Sequence, residues 1–205
     1  MKKTIKITVA TKNTHKKDKL MWIIDGFFSQ VEALKSDIDI EETGNSFGEN
    51  AQLKALTVAQ REKSYAIATD GGVSIPSLGS NWNALLTKRF AGKEDINDFD
   101  RINALLEIMK DKKGEERTVT WKEALAIASP EGIIFSAEAD GDTGLLQETY
   151  NFKQYKEGIW LCTLWSYPQF GGKNFFELDE KEKKYGEISW WRLKYKTRSF
   201  LSHYF

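Results

Sequence analysis

The sequence predicts an α/β fold, and three strand-like and two helix-like stretches in its first 70 residues carry that prediction. Ile5, Ile7 and Val9 alternate with polar residues, as a half-buried strand does. Leu20, Ile23, Ile24, Phe27 and Phe28 then recur at helical spacing behind the polar break Thr11–Thr14, so a helix should run from about Thr14 to about Gly26. Val31–Ile40 reads as a second strand. Asn45 or Ser46 can cap a second helix through Glu49, Ala51, Leu53, Ala55, Leu56 and Ala59. Ala66–Ala68 is short and apolar, like a buried strand. The resulting order β-α-β-α-β belongs to α/β proteins.

The middle of the chain changes character. Ile96, Phe99, Ile102, Leu105, Leu106 and Met109 predict an amphipathic helix closed by the polar run Asp111–Gly114. Val119, Trp121, Leu125 and Ile127 roughly alternate. After Ser129-Pro-Glu-Gly132 the run Ile133–Ala139 follows, which together predicts a β-hairpin. Residues 144–170 read as further strands rich in aromatic side chains, and Phe175–Lys184 and Ile188–Phe205 as two closing helices. With no internal repeat and no low-complexity linker, residues 1–205 are expected to form a single intertwined domain.

Composition narrows the function classes. Thirty Lys and Arg balance thirty Asp and Glu, so any electrostatic specificity must be local. Cys162 is the only cysteine, which excludes an internal disulfide and suits a reducing compartment. Two histidines and one cysteine make a structural zinc site a poor expectation; a metal here should be a hard cation held by carboxylates. No run reaches the roughly 20 apolar residues of a membrane span, and the basic Met1–Lys6 is not followed by a signal-length apolar run. The expectation is a cytoplasmic protein.

Three segments place reactive groups where strands end or helices begin. Thr11, Asn13 and Lys16 lie at a strand-to-helix junction, whose free N–H groups and helix dipole favour an anion. Lys16 adds a point charge suited to phosphate, although capping alone also accounts for Thr and Asn there, and the glycines of a P-loop are missing. Glu49 stands in the first turn of its helix and either favours the dipole or ligates magnesium. Lys54 is then a partner for phosphate or carboxylate. Asp70 closes an apolar run before Gly71 and Gly72, which permit close backbone approach to a ligand or simply follow an Asp-initiated turn. Ligands of open α/β sheets sit outside the carboxyl ends of the strands, where this carboxylate is expected.

Taken together, A-T-x-N-x-x-K, F-x-E-N-A-x-x-K-A and the Asp-Gly strand end resemble the inosine/xanthosine triphosphate pyrophosphatase (Ham1-like) family. Leu78-Gly79 and residues 88–92 (Lys-Arg-Phe-Ala-Gly) are similar to its L-G-G…A-R-F-A-G stretch. Residues 173–178 with Glu182-Lys183 are similar to its K-T-F-A-E-L…E-E-K, and Ile188-Ser189 falls at its I-S-H-R. The resemblance implies an elongated mixed sheet flanked by helices, with two lobes and a cleft between them. It implies a homodimer and an Mg²⁺-dependent hydrolase that cuts a nucleoside triphosphate into monophosphate and pyrophosphate, a house-cleaning enzyme for noncanonical purine nucleotides. On this mapping Thr11, Asn13 and Lys16 hold the triphosphate. Glu49 binds Mg²⁺, Asp70 binds metal or activates water, and Lys54, Gly71, Gly72, Trp165, Lys183, Ser189, Trp190 and Arg192 contribute to substrate binding.

The departures from the family are concentrated. Its two adjacent acids are Thr69-Asp70 here, so one carboxylate is lost unless water or another acid substitutes. Its F-G-Y-D-P-x-F aligns with residues 165–170 (Trp-Ser-Tyr-Pro-Gln-Phe) without the Asp, and its Ser-His-Arg with Ser189-Trp190-Trp191-Arg192 without the His. Base preference should therefore differ. Trp190 or Trp191 either stacks on a base or fills core or a dimer interface. The alternatives are a catalytically impaired nucleotide-binding or interaction protein on the same scaffold and, less favoured, a nucleic-acid module using Lys194, Lys196, Arg198 and His203.

Overall fold

The N-terminal alternation becomes strand β1 (Lys6–Val9), buried over its last three residues. Asn13 caps helix α1 (Thr14–Ile24) by accepting Lys16 N–H at 3.0 Å, and Leu20, Ile23 and Ile24 form the helix's buried face. Strand β2 (Gln30–Ala33) pairs parallel with β1 in the register Ile7↔Val31. Ser46 caps helix α2 (Phe47–Glu62), which ends at Lys63 in the left-handed conformation at φ 48°. Strand β3 (Tyr65–Ser74) pairs parallel with the other edge of β1, Val9 opposite Ile67. The computed structural model describes residues 5–34, 40–90, 97–151, 153, 155, 157 and 159–205, with Lys88 and Arg89 described by backbone alone. The expected strand residues 35–39, the motif residues Ala91 and Gly92, and Ile96 lie outside them.

The downstream elements are helix α3 (Asp98–Ile108), strands β4 (Thr118–Ser129), β5 (Gly132–Leu146), β6 (Trp165–Tyr167) and β7 (Lys173–Asn174), and helix α4 (Ile188–Tyr204). The seven strands form one mixed sheet in the order β2-β1-β3-β4-β5-β6-β7. The expected hairpin is β4–β5, and Ser129 Oγ accepts Glu131 N–H at 3.2 Å in its turn. No helix among the described residues is long and apolar enough to cross a membrane.

Two compact units share this chain. The first comprises residues 1–71, 122–139 and 189–205, and the second residues 72–121 and 140–188. Each has its own apolar core. In the first, Ile7, Val9, Leu20, Ile23, Ile24, Ile67, Leu125, Ile127, Trp190 and Leu193 pack together. In the second, Val73, Ile102, Leu105, Met109, Val119, Leu146, Trp165 and Tyr167 do so. Arg117 is buried in the second unit with its guanidinium donating to the carbonyls of Met109, Lys112, Leu146 and Gln147.

Three expectations need correction. Asp70 does not end a strand or begin a turn, because β3 continues through Gly71 and Gly72 to Ser74. Neither glycine adopts positive φ. Among the described residues, 144–170 hold the end of β5, the short β6 and 3₁₀ turns at Trp160–Thr163 and Pro168–Phe170 rather than a series of new strands. Phe175–Lys184 is not a continuous helix but 3₁₀ turns at Phe175–Glu177 and Glu182–Glu187. Asn174 Oδ1 accepts Phe176 and Glu177 N–H and caps the first turn, while Asp179 Oδ1 accepts Lys181 and Glu182 N–H, so a second turn starts inside the expected span and interrupts the helix.

Candidate active site

Strand order places the candidate site. With β2-β1-β3 parallel, the chain leaves β1 toward β2 through α1 and returns past β1 to β3 through α2. Right-handed crossovers then put α1 and α2 on opposite faces of the sheet. The carboxyl ends of β1 and β3 flank the point where the chain reverses direction, the position at which open α/β sheets bind ligands. β1 stops at Val9, whereas β3 continues beyond Ile67, its last residue paired to β1. Thr69, Asp70 and Gly71 therefore lie past the end of β1, beside the polar loop 11–13. Asp70 holds the expected place relative to its neighbour, although its own strand goes on.

Alternation along β3 sends Asp70 to one face and Thr69 and Gly71 to the other. On the α2 face, Asp70 is 9% exposed. Asn50 Nδ2 donates to its Oδ2 at 3.1 Å, and Lys54 Nζ to its Oδ1 at 3.0 Å. Asn50 and Lys54 are one helical turn apart on α2, so one helix face supplies both donors. Lys54 also pairs with Glu42 at 2.6 Å. Burial lowers its proton affinity, but the bonds to Glu42 and Asp70 outweigh that and hold the ammonium above the ordinary lysine value.

The other face holds a group that the sequence pattern did not reveal. Glu123, on β4, has a fully buried side chain. Its Oε1 accepts the Thr69 hydroxyl and lies 3.2 Å from Lys16 Nζ. The Thr69 oxygen is also 2.6 Å from Ala124 O. One signal did point to Glu123: it sits on the inward register shared by Val119, Trp121, Leu125 and Ile127, where an acid must find a partner.

Glu49 is exposed, and its Oε2 accepts Asn45 N–H at 2.7 Å while its own N–H donates to Ser46 Oγ at 3.1 Å. This reciprocal arrangement is a variant of the capping box, so in this structure Glu49 acts on its own helix. Glu138, from β5, adds a carboxylate that accepts Gly48 N–H at 3.1 Å. In the loop, Thr11 Oγ1 accepts Asn13 N–H at 3.2 Å. Thr11 is half-buried and Asn13 exposed.

Comparison with known proteins places the chain. The model of the Ham1 family matches residues 7–189, nearly the whole chain. The chain belongs to the Ham1 family. A dITP/XTP pyrophosphatase of Prochlorococcus marinus is 29% identical over 184 residues, covering 89% of this chain and 86% of its own length. One of Oceanobacillus iheyensis is 37% identical over 129 residues, covering 61% and 64%. Among solved structures, a HAM1 protein from Coxiella burnetii superposes with a TM-score of 0.77 over 95% of this chain and 99% of its own at 22% identity, which shows the shared fold.

The remaining candidate residues of this Ham1-family chain are dispersed. Gly72 is buried in β3. Trp165 lies in the core of the second unit, 3% exposed, and Lys183, also in that unit, pairs with Glu180 at 2.8 Å. Ser189 is fully buried, and its hydroxyl finds no hydrogen-bond partner among the described residues. Trp190 is 5% exposed in the core of the first unit, its ring edge-on to His15 at 6.4 Å, which favours packing over base stacking. Trp191 is exposed and meets Trp22 edge to face. Arg192 is exposed at the start of α4.

Proposed function

We propose that this chain is a magnesium-dependent nucleoside triphosphate pyrophosphatase that hydrolyses noncanonical purine nucleotides to monophosphate and pyrophosphate. The observation that carries the reading is Asp70. It is a nearly buried carboxylate past the end of β1, oriented by Asn50 and Lys54 and adjacent in the fold to an anion-suited loop. Membership in the Ham1 family and the names of its pyrophosphatase relatives support the same reading.

The donor set suits Mg²⁺. That ion takes one or two carboxylates, keeps several waters, and completes its shell with substrate phosphates. Among the described residues no three His, Cys, Asp or Glu side chains are grouped to cage an ion, but Asp70 and Glu49 supply hard oxygens. The ammonium of Lys54 already rests on Asp70, as a cation would. When bound, Mg²⁺ neutralises phosphate charge and acidifies water.

Each residue then has a role. The Thr11–Asn13 loop and the amino end of α1 bind phosphate oxygens through neutral donors. Lys16 adds a positive charge where negative charge develops in the transition state. Asp70 holds metal or takes the proton of the attacking water, its position fixed by Asn50 and Lys54. Glu49 would help hold the metal, at the expense of its bond from Asn45 N–H. Gly71 and Gly72 keep side chains away from the phosphates. Trp165, Lys183, Ser189, Trp190 and Arg192 remain proposed as base-end residues, with a preference altered by the missing Asp and His. As family-based proposals, the enzyme is a cytoplasmic homodimer.

A panel of deaminated, modified and ordinary triphosphates assayed for pyrophosphate tests this reading. We expect turnover of a purine analogue with Mg²⁺, and losses in Asp70→Asn and Glu49→Gln. No metal-dependent release from any nucleotide would exclude it.

A further inference from the structure

We propose that Glu123 is the second acid of this site, and that Lys16 and the cation brought with the triphosphate exchange for one another on it. The inference rests on the pyrophosphatase reading above and adds a residue and a coupling to it.

The sequence pattern raises the question. Glu123 interrupts an otherwise apolar register in β4, and Thr69 stands on β3 beside the only acid of that strand tip. A carboxylate on an inward register is costly unless it is paired and hydrogen-bonded. The structure answers with proximity: the acid that β3 lacks at position 69 reaches the same place from β4. Glu123 Oε1 takes the Thr69 hydroxyl and faces Lys16 Nζ. Its Oε2 fills the space over Gly71, where a Cβ would lie 2.5 Å away. Asp70 and Glu123 thus flank β3 from its two faces, just past the end of β1.

The charge balance gives the arrangement a consequence. Glu123 is wholly buried and Lys16 is 17% exposed at its side chain, so the pair contributes to compensating the buried carboxylate in the ligand-free protein. Lys16 cannot move its charge onto a phosphate without giving up its pairing with this buried carboxylate. A divalent cation arriving with the polyphosphate removes the conflict, since Glu123 turns to the cation as Lys16 turns to the phosphate. Lys16 is therefore masked until metal is present, and metal and polyphosphate bind with positive coupling. Thr69 holds the carboxylate in place through the exchange.

Calorimetric binding of inorganic pyrophosphate, with Mg²⁺ and with chelator, reads this coupling without turnover. Wild type should bind at least about tenfold more tightly with Mg²⁺. Glu123→Gln frees Lys16, so it should bind metal-free pyrophosphate more tightly than wild type and lose most of the Mg²⁺ gain. A merely structural role would instead weaken both. Thr69→Asp/Glu123→Gln, which returns the acid to β3, should recover the gain. A second measurement covers the case in which Glu123→Gln does not fold. In Lys16→Met the competitor for Glu123 is gone, so Mn²⁺ binding to the free protein, followed by electron paramagnetic resonance, should tighten. Mn²⁺ binding that weakens in Lys16→Met, or a Mg²⁺ gain that survives in Glu123→Gln, would overturn the proposal while leaving the pyrophosphatase reading intact. Wild type that binds pyrophosphate neither with Mg²⁺ nor with chelator would also overturn the proposal, whereas the pyrophosphatase reading stands or falls on the nucleotide panel above.

Discussion

Lys54 and Asp70 form an ion pair at 3.0 Å in which both side chains are nearly enclosed, at 15% and 12% exposure. The pair ties the second turn of α2 to the part of β3 that outruns β1, and it brings together two residues first noted in separate motifs. Lys54 also compensates Glu42. Its removal takes one ammonium from both carboxylates.

Lys54→Met should therefore destabilise the protein by about 2–3 kcal/mol, below the full cost of opening a buried pair because neither partner is wholly enclosed. The sign of its pH dependence follows from the raised lysine value. The ammonium contributes its full stabilisation below the unfolded value of 10.5 and loses it as pH rises through the higher folded value. Urea unfolding of both proteins should show a constant gap from pH 7 to 9 that narrows above pH 10.5. A gap that widens there would contradict the assignment.

Asp142, in the second unit, follows the same sign with pH, but its replacement should stabilise rather than destabilise. Burial pushes its carboxyl up to about 6, with the bond from Tyr167 Oη at 2.6 Å only partly offsetting it. A folded value above the unfolded 3.8 means that protonation favours the folded state. Its stabilisation is complete below 3.8 and is lost as pH rises through about 6. Asp142→Asn cannot ionise and keeps an oxygen for Tyr167. It should be more stable than wild type by roughly 2–3 kcal/mol at pH 8 and equal to it near pH 4. Thermal or urea unfolding across that range reads the difference directly.

Gly71→Ala tests how closely β3 and β4 approach. The added Cβ would lie 2.5 Å from Glu123 Oε2 and 2.7 Å from Lys122 O. The carboxylate can swing away, but the backbone carbonyl cannot do so cheaply. We expect a loss of about 1–3 kcal/mol, and pyrophosphatase activity reduced beyond what the residual folded fraction explains, since Glu123 leaves Thr69 and Lys16. Circular dichroism melts and activity on the same preparation separate the two effects.

How much of this was legible beforehand depends on how local each signal is. Ser46 and Glu49 announce the start of α2 within four residues, and Leu20, Ile23 and Ile24 announce the buried face of α1, because capping and helical periodicity are short-range. Asp70 was visible as an acid closing an apolar run. Gly71-Gly72 nevertheless suggested a turn, since the neighbouring β4 that carries the strand onward is some fifty residues away. The helix expected over Phe175–Lys184 failed because Asp179, inside it, bonds the local backbone of Lys181 and Glu182 and starts a separate turn. Glu123 was missed for the opposite reason. A single acid in an alternating strand resembles an irregularity until the fold brings Lys16 and Thr69 to it. Trp165 and Trp190 mark the same limit: sequence could not separate a stacking tryptophan from a core one.

The central claim is that Asp70 directs hydrolysis between the α- and β-phosphates of a nucleoside triphosphate. Product analysis of purified protein with inosine or xanthosine triphosphate, with Mg²⁺ or with chelator, tests it most directly. We expect equal amounts of nucleoside monophosphate and pyrophosphate, formed only with the metal and reduced at least about a hundredfold in Asp70→Asn. Diphosphate with inorganic phosphate as products, or wild-type rates from Asp70→Asn, would contradict it.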